Sequence, residues 1–334
     1  MRNSLLRMVS FSCTLFALVT CTFAEDKIDS AESIPDGVRI ETVEIVPAKI
    51  ELAHRLDYRQ ILVLGRNSDG ELLDLTRIAT VSQSKIASAD GTGLVTPLSN
   101  GSDTLQFSVA GQTAELAVEV KDAEVSRPVS FVRDVQPALS RMGCNAGTCH
   151  GAKDGKDGFK LSLRGYDALY DHRALTDDIS ARRFNRAAPD QSLILLKATG
   201  SIPHVGGPRT DVGDRYYDIV RAWINGGATL DLDATRVASI SVFPHNPIVP
   251  RAGMKQQISV QATFTNGEVR DVTREAFIES GNIEVVDADE AGLLTVLRRG
   301  EAPVLVRYEG AYAATTLTVM GDRSGFEWKL PETR

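Results

Sequence analysis

Two stretches decide the reading of this chain: Gly70-Glu71-Leu72-Leu73-Asp74-Leu75-Thr76-Arg77 and Gly267-Glu268-Val269-Arg270-Asp271-Val272-Thr273-Arg274. They share a G-E-x-x-D-x-T-R pattern, and the likeness extends in both directions. Upstream, Val46-Pro47 answers Phe243-Pro244 at the same offset, and Gln60 answers Gln257. Downstream, Asp90–Thr96 (DGTGLVT) resembles Asp289–Thr295 (DEAGLLT). Matches in the same order mark a duplicated domain of about 85 residues.

Each copy reads as short apolar or alternating strands broken by turn residues. Ile61-Leu62-Val63-Leu64, Thr104–Val109 and Ala114–Val120 carry this pattern in the first copy. Ile258–Ala262 and Ala302–Val306 carry it in the second. Asp69-Gly70 and Asn266-Gly267 are hairpin pairs, because glycine readily supplies the positive φ such turns need. Short, evenly spaced strands in a unit of this size point to a β-sandwich. Asp74, Thr76, Asp271 and Thr273 read as hydrogen-bonding turn residues rather than ligands.

The opening strand ending in proline, the G-x-x-x-D-x-T turn and the G-L-[VL]-T strand resemble the group 2 bacterial Ig-like domains of exported and surface proteins. The resemblance covers residues 36–121 and 236–320. It implies a sandwich fold and does not imply a particular function.

Between the copies the period changes. Val135, Ala138, Leu139 and Met142 predict a short helix with Pro137 in its first turn. Tyr216, Ile219, Val220, Trp223 and Ile224 recur at helical spacing, with Asp214 as N-cap and Gly226-Gly227 as the stop. The charge balance changes too. The whole chain carries −7, yet residues 127–231 hold fifteen Lys/Arg, twelve Asp and no Glu, or +3. The negative total argues against a nucleic-acid partner.

The N-terminus reads as a secretory signal over residues 1–24. Arg2 and Arg7 form the basic region, an apolar stretch runs from Met8 to Val19, and Thr22-Phe23-Ala24 precedes the cut. Lipidation at Cys21 is the competing reading, and the only one that brings membrane contact. The expected location is therefore the periplasm or the cell surface. Of four cysteines, Cys13 and Cys21 fall in the signal, leaving Cys144 and Cys149 with His150 directly after the second.

Cys144-Asn145-Ala146-Gly147-Thr148-Cys149-His150 admits three readings: covalent haem attachment, a local disulfide, or a metal site. Zinc is the weakest, since no second cysteine pair exists. The segment 128–230 resembles the class I-like cytochrome c domain of large exported proteins of planctomycetes and similar bacteria. Phe131–Pro137, Cys144…Cys149-His150-Gly151, Pro189–Leu193, Ile202–Gly207 and Ala222–Ala228 carry that resemblance. It implies one covalent haem c with thioethers at Cys144 and Cys149 and His150 as proximal iron ligand. It places His204 as distal ligand in a loop without methionine, with His172 behind it and a five-coordinate iron as the remaining reading. Arg164, Arg182, Arg183, Arg186 and Arg209 are candidates to neutralise the propionates, with a solvated basic face the first reading for any single one.

The expected architecture is mixed and multidomain: two all-β Ig-like sandwiches flank a small all-α cytochrome c-like module, with a polar tail over 321–334. The resemblance implies electron transfer to a redox partner protein in the envelope. The alternative is a non-enzymatic surface or adhesion scaffold with a Cys144–Cys149 disulfide. No nucleophile–base–orienter set, phosphate loop or carboxylate pair is present, so neither catalysis nor a small-molecule substrate is expected. Relatives of this architecture continue past the second sandwich, so a truncated form is one reading of a chain ending at Arg334. His54 and His245 read as surface residues.

Overall fold

The computed structural model describes residues 32–124, 127–178 and 182–321. The predicted signal with Cys13 and Cys21, and the predicted tail from residue 322, lie outside them. The described residues from Ser33 onward group as one compact unit.

The repeat in the sequence is a repeat in topology. In the first copy, Ile40–Val46, Leu62–Asn67 and Leu72–Asp74 form one sheet. Lys49–Leu52, Gln112–Val120, Gly101–Val109 and Thr80–Val81 form a second, and Arg59–Gln60, Leu94–Pro97 and Ala87–Ala89 a third. The second copy repeats all three orders. They are Val237–Phe243, Ser259–Phe264 and Val269–Asp271; Ile248–Val249, Ala311–Val319, Gly300–Tyr308 and Phe277–Ser280; and Lys255–Gln257, Leu293–Val296 and Val286–Ala288. Alternation buries one face of each long hairpin: Leu105, Phe107, Leu116 and Val118 in one copy, Val304, Val306 and Leu317 in the other. This is the period-2 signature of a half-buried strand. Met254 packs against both cores.

The D-x-T motif does two jobs in each copy. Asp74 Oδ1 accepts from Thr76 N at 2.9 Å, and Thr76 Oγ1 accepts from Val63 N at 2.9 Å. Asp271 and Thr273 repeat this, with Thr273 N at 2.9 Å and Val260 N donating to Thr273 Oγ1 at 2.8 Å. The second carboxylate oxygen reaches across to the other copy. Gln257 N donates to Asp74 Oδ2 at 2.5 Å, and Gln60 N donates to Asp271 Oδ2 at 2.7 Å. The two repeats are thus joined by a reciprocal pair of buried bonds. Gly93 closes the same corner. Its φ is +80°, and a Cβ there would sit 2.5 Å from Ile61 O, so only glycine fits.

The segment between the copies packs on both. α1 (Gln136–Arg141) follows a π turn at Phe131–Val135; α2 (Ala168–Thr176), α3 (Leu193–Ala198) and α4 (Arg215–Asn225) complete it. Trp223 of α4 lies at its centre, with Phe131, Phe184 and His172 rings 5.1, 5.2 and 5.9 Å away. Asp214 does precede α4, but its carboxylate accepts from Asp211 N at 3.0 Å instead of capping the helix.

Charged groups fasten this segment to the repeats. Buried Asp134 pairs with Arg270 at 2.8 Å and Arg127 at 3.2 Å. Burial pushes its pKa up, but the two guanidinium groups outweigh that and hold it at about 2. Glu275 accepts from Tyr58 OH of the first copy at 2.6 Å and Arg215 Nε of α4 at 2.8 Å, so one carboxylate ties three parts together.

The expectation of a small all-α cytochrome c-like module is corrected. Twenty strands stand against four α-helices of 6, 9, 6 and 11 residues among the described residues. From Gly143 to Lys160 the chain forms turns, not helix. The cause is glycine: Gly143, Gly155 and Gly158 all hold positive φ and break helical propagation.

Asp74 and Asp271 differ in one respect. Arg77 lies 3.3 Å from Asp74 Oδ2, whereas the equivalent Arg274 turns away to Thr92 Oγ1 at 3.1 Å. Burial then pushes the Asp271 carboxyl up to about 6, against the pull of the Thr273 and Gln60 N–H donors. An unfolded aspartate titrates near pH ~3.9, so between that value and about 6 the folded chain holds a proton that the unfolded chain has released. Stability from this group therefore falls as pH rises through that window and is level above it. Urea denaturation from pH 4 to 7 should show the stability difference between wild type and Asp271→Asn shrinking as pH rises. A difference that grows with pH would contradict the assignment.

Candidate functional site

The most chemically varied pocket lies in the central segment. It measures about 240 Å³, and Cys144, Cys149, His150, Phe159, Leu193 and His204 are among its walls. The end of α1 positions the first cysteine: Cys144 N donates to Leu139 O at 2.9 Å after the positive-φ turn at Gly143. The following loop is wound tightly on itself. Cys149 N donates to Ala146 O at 2.9 Å, His150 N to Cys144 O at 3.0 Å, and Gly151 N to Ala146 O at 3.1 Å. A Cβ at position 151 would lie 2.1 Å from Asn145 O, so the residue after His150 must be glycine.

His150 and His204 are brought together, though 54 residues separate them in sequence. Their rings are 6.3 Å apart between centroids and 9° from parallel. Each imidazole is held through Nδ1, His150 to Phe159 O at 3.1 Å and His204 to Gly207 O at 2.8 Å. Phe159 also packs on His150 at 4.5 Å. Burial lowers the His150 pKa below the ordinary histidine value, helped by nearby His204 and Arg183 and opposed by the Phe159 carbonyl. Burial pushes the Cys144 thiol up to about 12, since a thiolate there would lack solvation.

His172 is elsewhere and has another task. Its Nε2 contacts Ala228 O at 2.8 Å and its ring sits edge-on to Phe131 at 5.2 Å, pinning the segment's own core. His245 is exposed as expected, but His54 is half-buried, and burial with nearby Arg127 lowers its pKa to about 4. Of the five arginines singled out in the sequence, Arg182, Arg183 and Arg209 reach the pocket, Arg164 lines a different one, and Arg186 lines neither. Sequence reasoning missed Lys156 and Lys197, which also line it and had no signal beyond the segment's general basicity.

The haem c expectation is corrected. Among the described residues no group of three or more His, Cys, Asp or Glu is placed to hold a metal ion. Cys144 and Cys149 stand as free thiols. The 240 Å³ pocket is also below the roughly 300–1,000 Å³ that encloses a drug-sized ligand, and a tetrapyrrole is larger still. The electron-carrier role built on that cofactor falls with it. The predicted Cys144–Cys149 disulfide is likewise not formed in this structure.

Comparison with known proteins adds little. No family model matches, and no curated protein matches. Domains 5-6 of the S-layer protein SbsC share 10% identity at a TM-score of 0.33, over 85% of this chain and 99% of that one. SbsC domains 4 and 5 give 9% and 0.23, over 85% and 100%. Extracellular domains 3-5 of Drosophila OTK give 8% and 0.18, over 85% and 63%. This chain spans 28% of the SbsC structure of domains 1-6. At scores this low the likeness carries no weight for fold or function.

The tight loop yields a test. Gly151→Ala forces a methyl onto the Asn145 carbonyl, an overpacking that typically costs about 1–3 kcal/mol. Thermal denaturation should show a lowered midpoint, and proton NMR should show both the His150 and His204 ring signals displaced. An unchanged midpoint with unmoved rings would contradict the geometry.

Proposed function

We propose that the chain is an exported, non-enzymatic scaffold of the cell envelope or cell surface. The observation that carries this reading is the reciprocal bonding of Asp74 to Gln257 and of Asp271 to Gln60, which locks two strand-rich repeats into one block instead of two flexible beads. A rigid block with a third segment fastened to both repeats suits presentation or spacing, and among the described residues no catalytic constellation competes for the role. The basic and apolar N-terminal stretch supports export. Among the described residues no helix is long and apolar enough to cross a membrane.

Expression of the full chain in an export-competent host that also attaches haem tests this directly. Protein recovered outside the cytoplasm, beginning at Glu25, colourless and unfolding in one transition is the expected result. Cytoplasmic protein retaining Met1 would overturn export, and a haem-sized mass increment with visible absorbance would overturn the scaffold reading.

A further inference from the structure

The pocket between Cys144 and His204 has a charge pattern that the scaffold reading leaves unused. Its floor is apolar, formed by Leu139, Phe159, Leu161, Leu193, Ile194 and Ala198. Five cations, Lys156, Arg182, Arg183, Lys197 and Arg209, face a single carboxylate, Asp157, around the same space. In a chain of net charge −7 this is a local inversion of sign.

Two of the cations are occupied by the protein itself. Arg183 is buried, donates to Ala174 O at 2.8 Å and Gly158 O at 3.3 Å, and lies 4.1 Å over the Phe159 ring. Lys197 donates to Pro203 O at 2.6 Å. Lys156, Arg182 and Arg209 are exposed and form no ion pair among the described residues. Three unpaired cations at the mouth of an apolar cavity leave both an unfilled hydrophobic surface and an uncompensated positive field.

We propose that this pocket binds, without covalent attachment, a small amphiphilic carboxylate, its apolar body on Leu193 and Phe159 and its charge between Arg182 and Arg209. The apolar walls supply affinity by removing hydrocarbon from water. The guanidinium groups supply selection for the anion, because each presents paired donors that match a carboxylate. The volume of 240 Å³ limits the occupant to something smaller than a drug-sized molecule. The proposal does not depend on the scaffold reading, since a surface protein and an internal one would show the same pocket.

Isothermal titration of the full chain with 2-naphthoate and with its neutral isostere 2-naphthamide tests the proposal. The expected result is one saturable site for the acid, with the amide at least tenfold weaker. The double variant Arg182→Glu/Arg209→Glu should erase that preference, and Leu193→Glu should weaken the acid at least tenfold. The arginine pair is exposed, so its replacement leaves the fold intact and decides the question even if the Leu193 variant misfolds. Equal binding of acid and amide, an undiminished preference in the double arginine variant, or no saturable binding would each overturn the proposal.

Discussion

Two buried carboxylates hold this molecule together. Asp74 and Asp271 each close a turn in their own repeat and accept a backbone N–H from the other repeat, Gln257 N and Gln60 N. Both glutamines are only 1% exposed, so neither N–H has water as a substitute partner. A buried donor left without an acceptor costs about 1–3 kcal/mol, and each aspartate satisfies donors on both sides of the interface. The pairing is isologous in kind, like a dimer interface made within one chain.

The rest of the architecture leans on that junction. The central segment is not an independent bead between two others. Its Arg215 meets Glu275 and Tyr58, its Asp134 meets Arg270, and its Arg133 meets Glu268 at 2.7 Å and stacks over Phe264 at 4.2 Å. The Arg215–Glu275 and Arg270–Asp134 pairs are buried on one or both sides, where an unpaired charge would be costly, so each constrains where the segment sits, whereas Glu268 is exposed. Duplication has also allowed drift. The first copy keeps Arg77 on its aspartate, whereas the equivalent Arg274 turns away to Thr92.

Much of this was legible in the sequence, and the part that was not has a physical cause. Period-2 alternation gave the long hairpins, and the matched Asp, Thr, Gln and Gly positions marked the repeat. Their shared purpose was invisible. A motif read one repeat at a time looks like a local turn, and nothing along the chain says that its second oxygen points to a residue about 180–210 positions away. The pairing of His150 with His204 was legible as two motifs joined by resemblance, but the cofactor expected between them was not supported by the pocket's volume. Spacing of cysteines constrains which sulfurs can meet. It does not report that burial raises the pKa of the Cys144 thiol.

Native-state hydrogen exchange at the Gln60 and Gln257 amides tests the central claim most directly. If the reciprocal bonds close the interface, both amides exchange only through global unfolding, with the same free energy and the same denaturant dependence as the slowest core amides of either repeat. Exchange of either amide at a rate typical of a surface loop, while the strand cores stay protected, would mean that the repeats open independently and that the carboxylates do not join them.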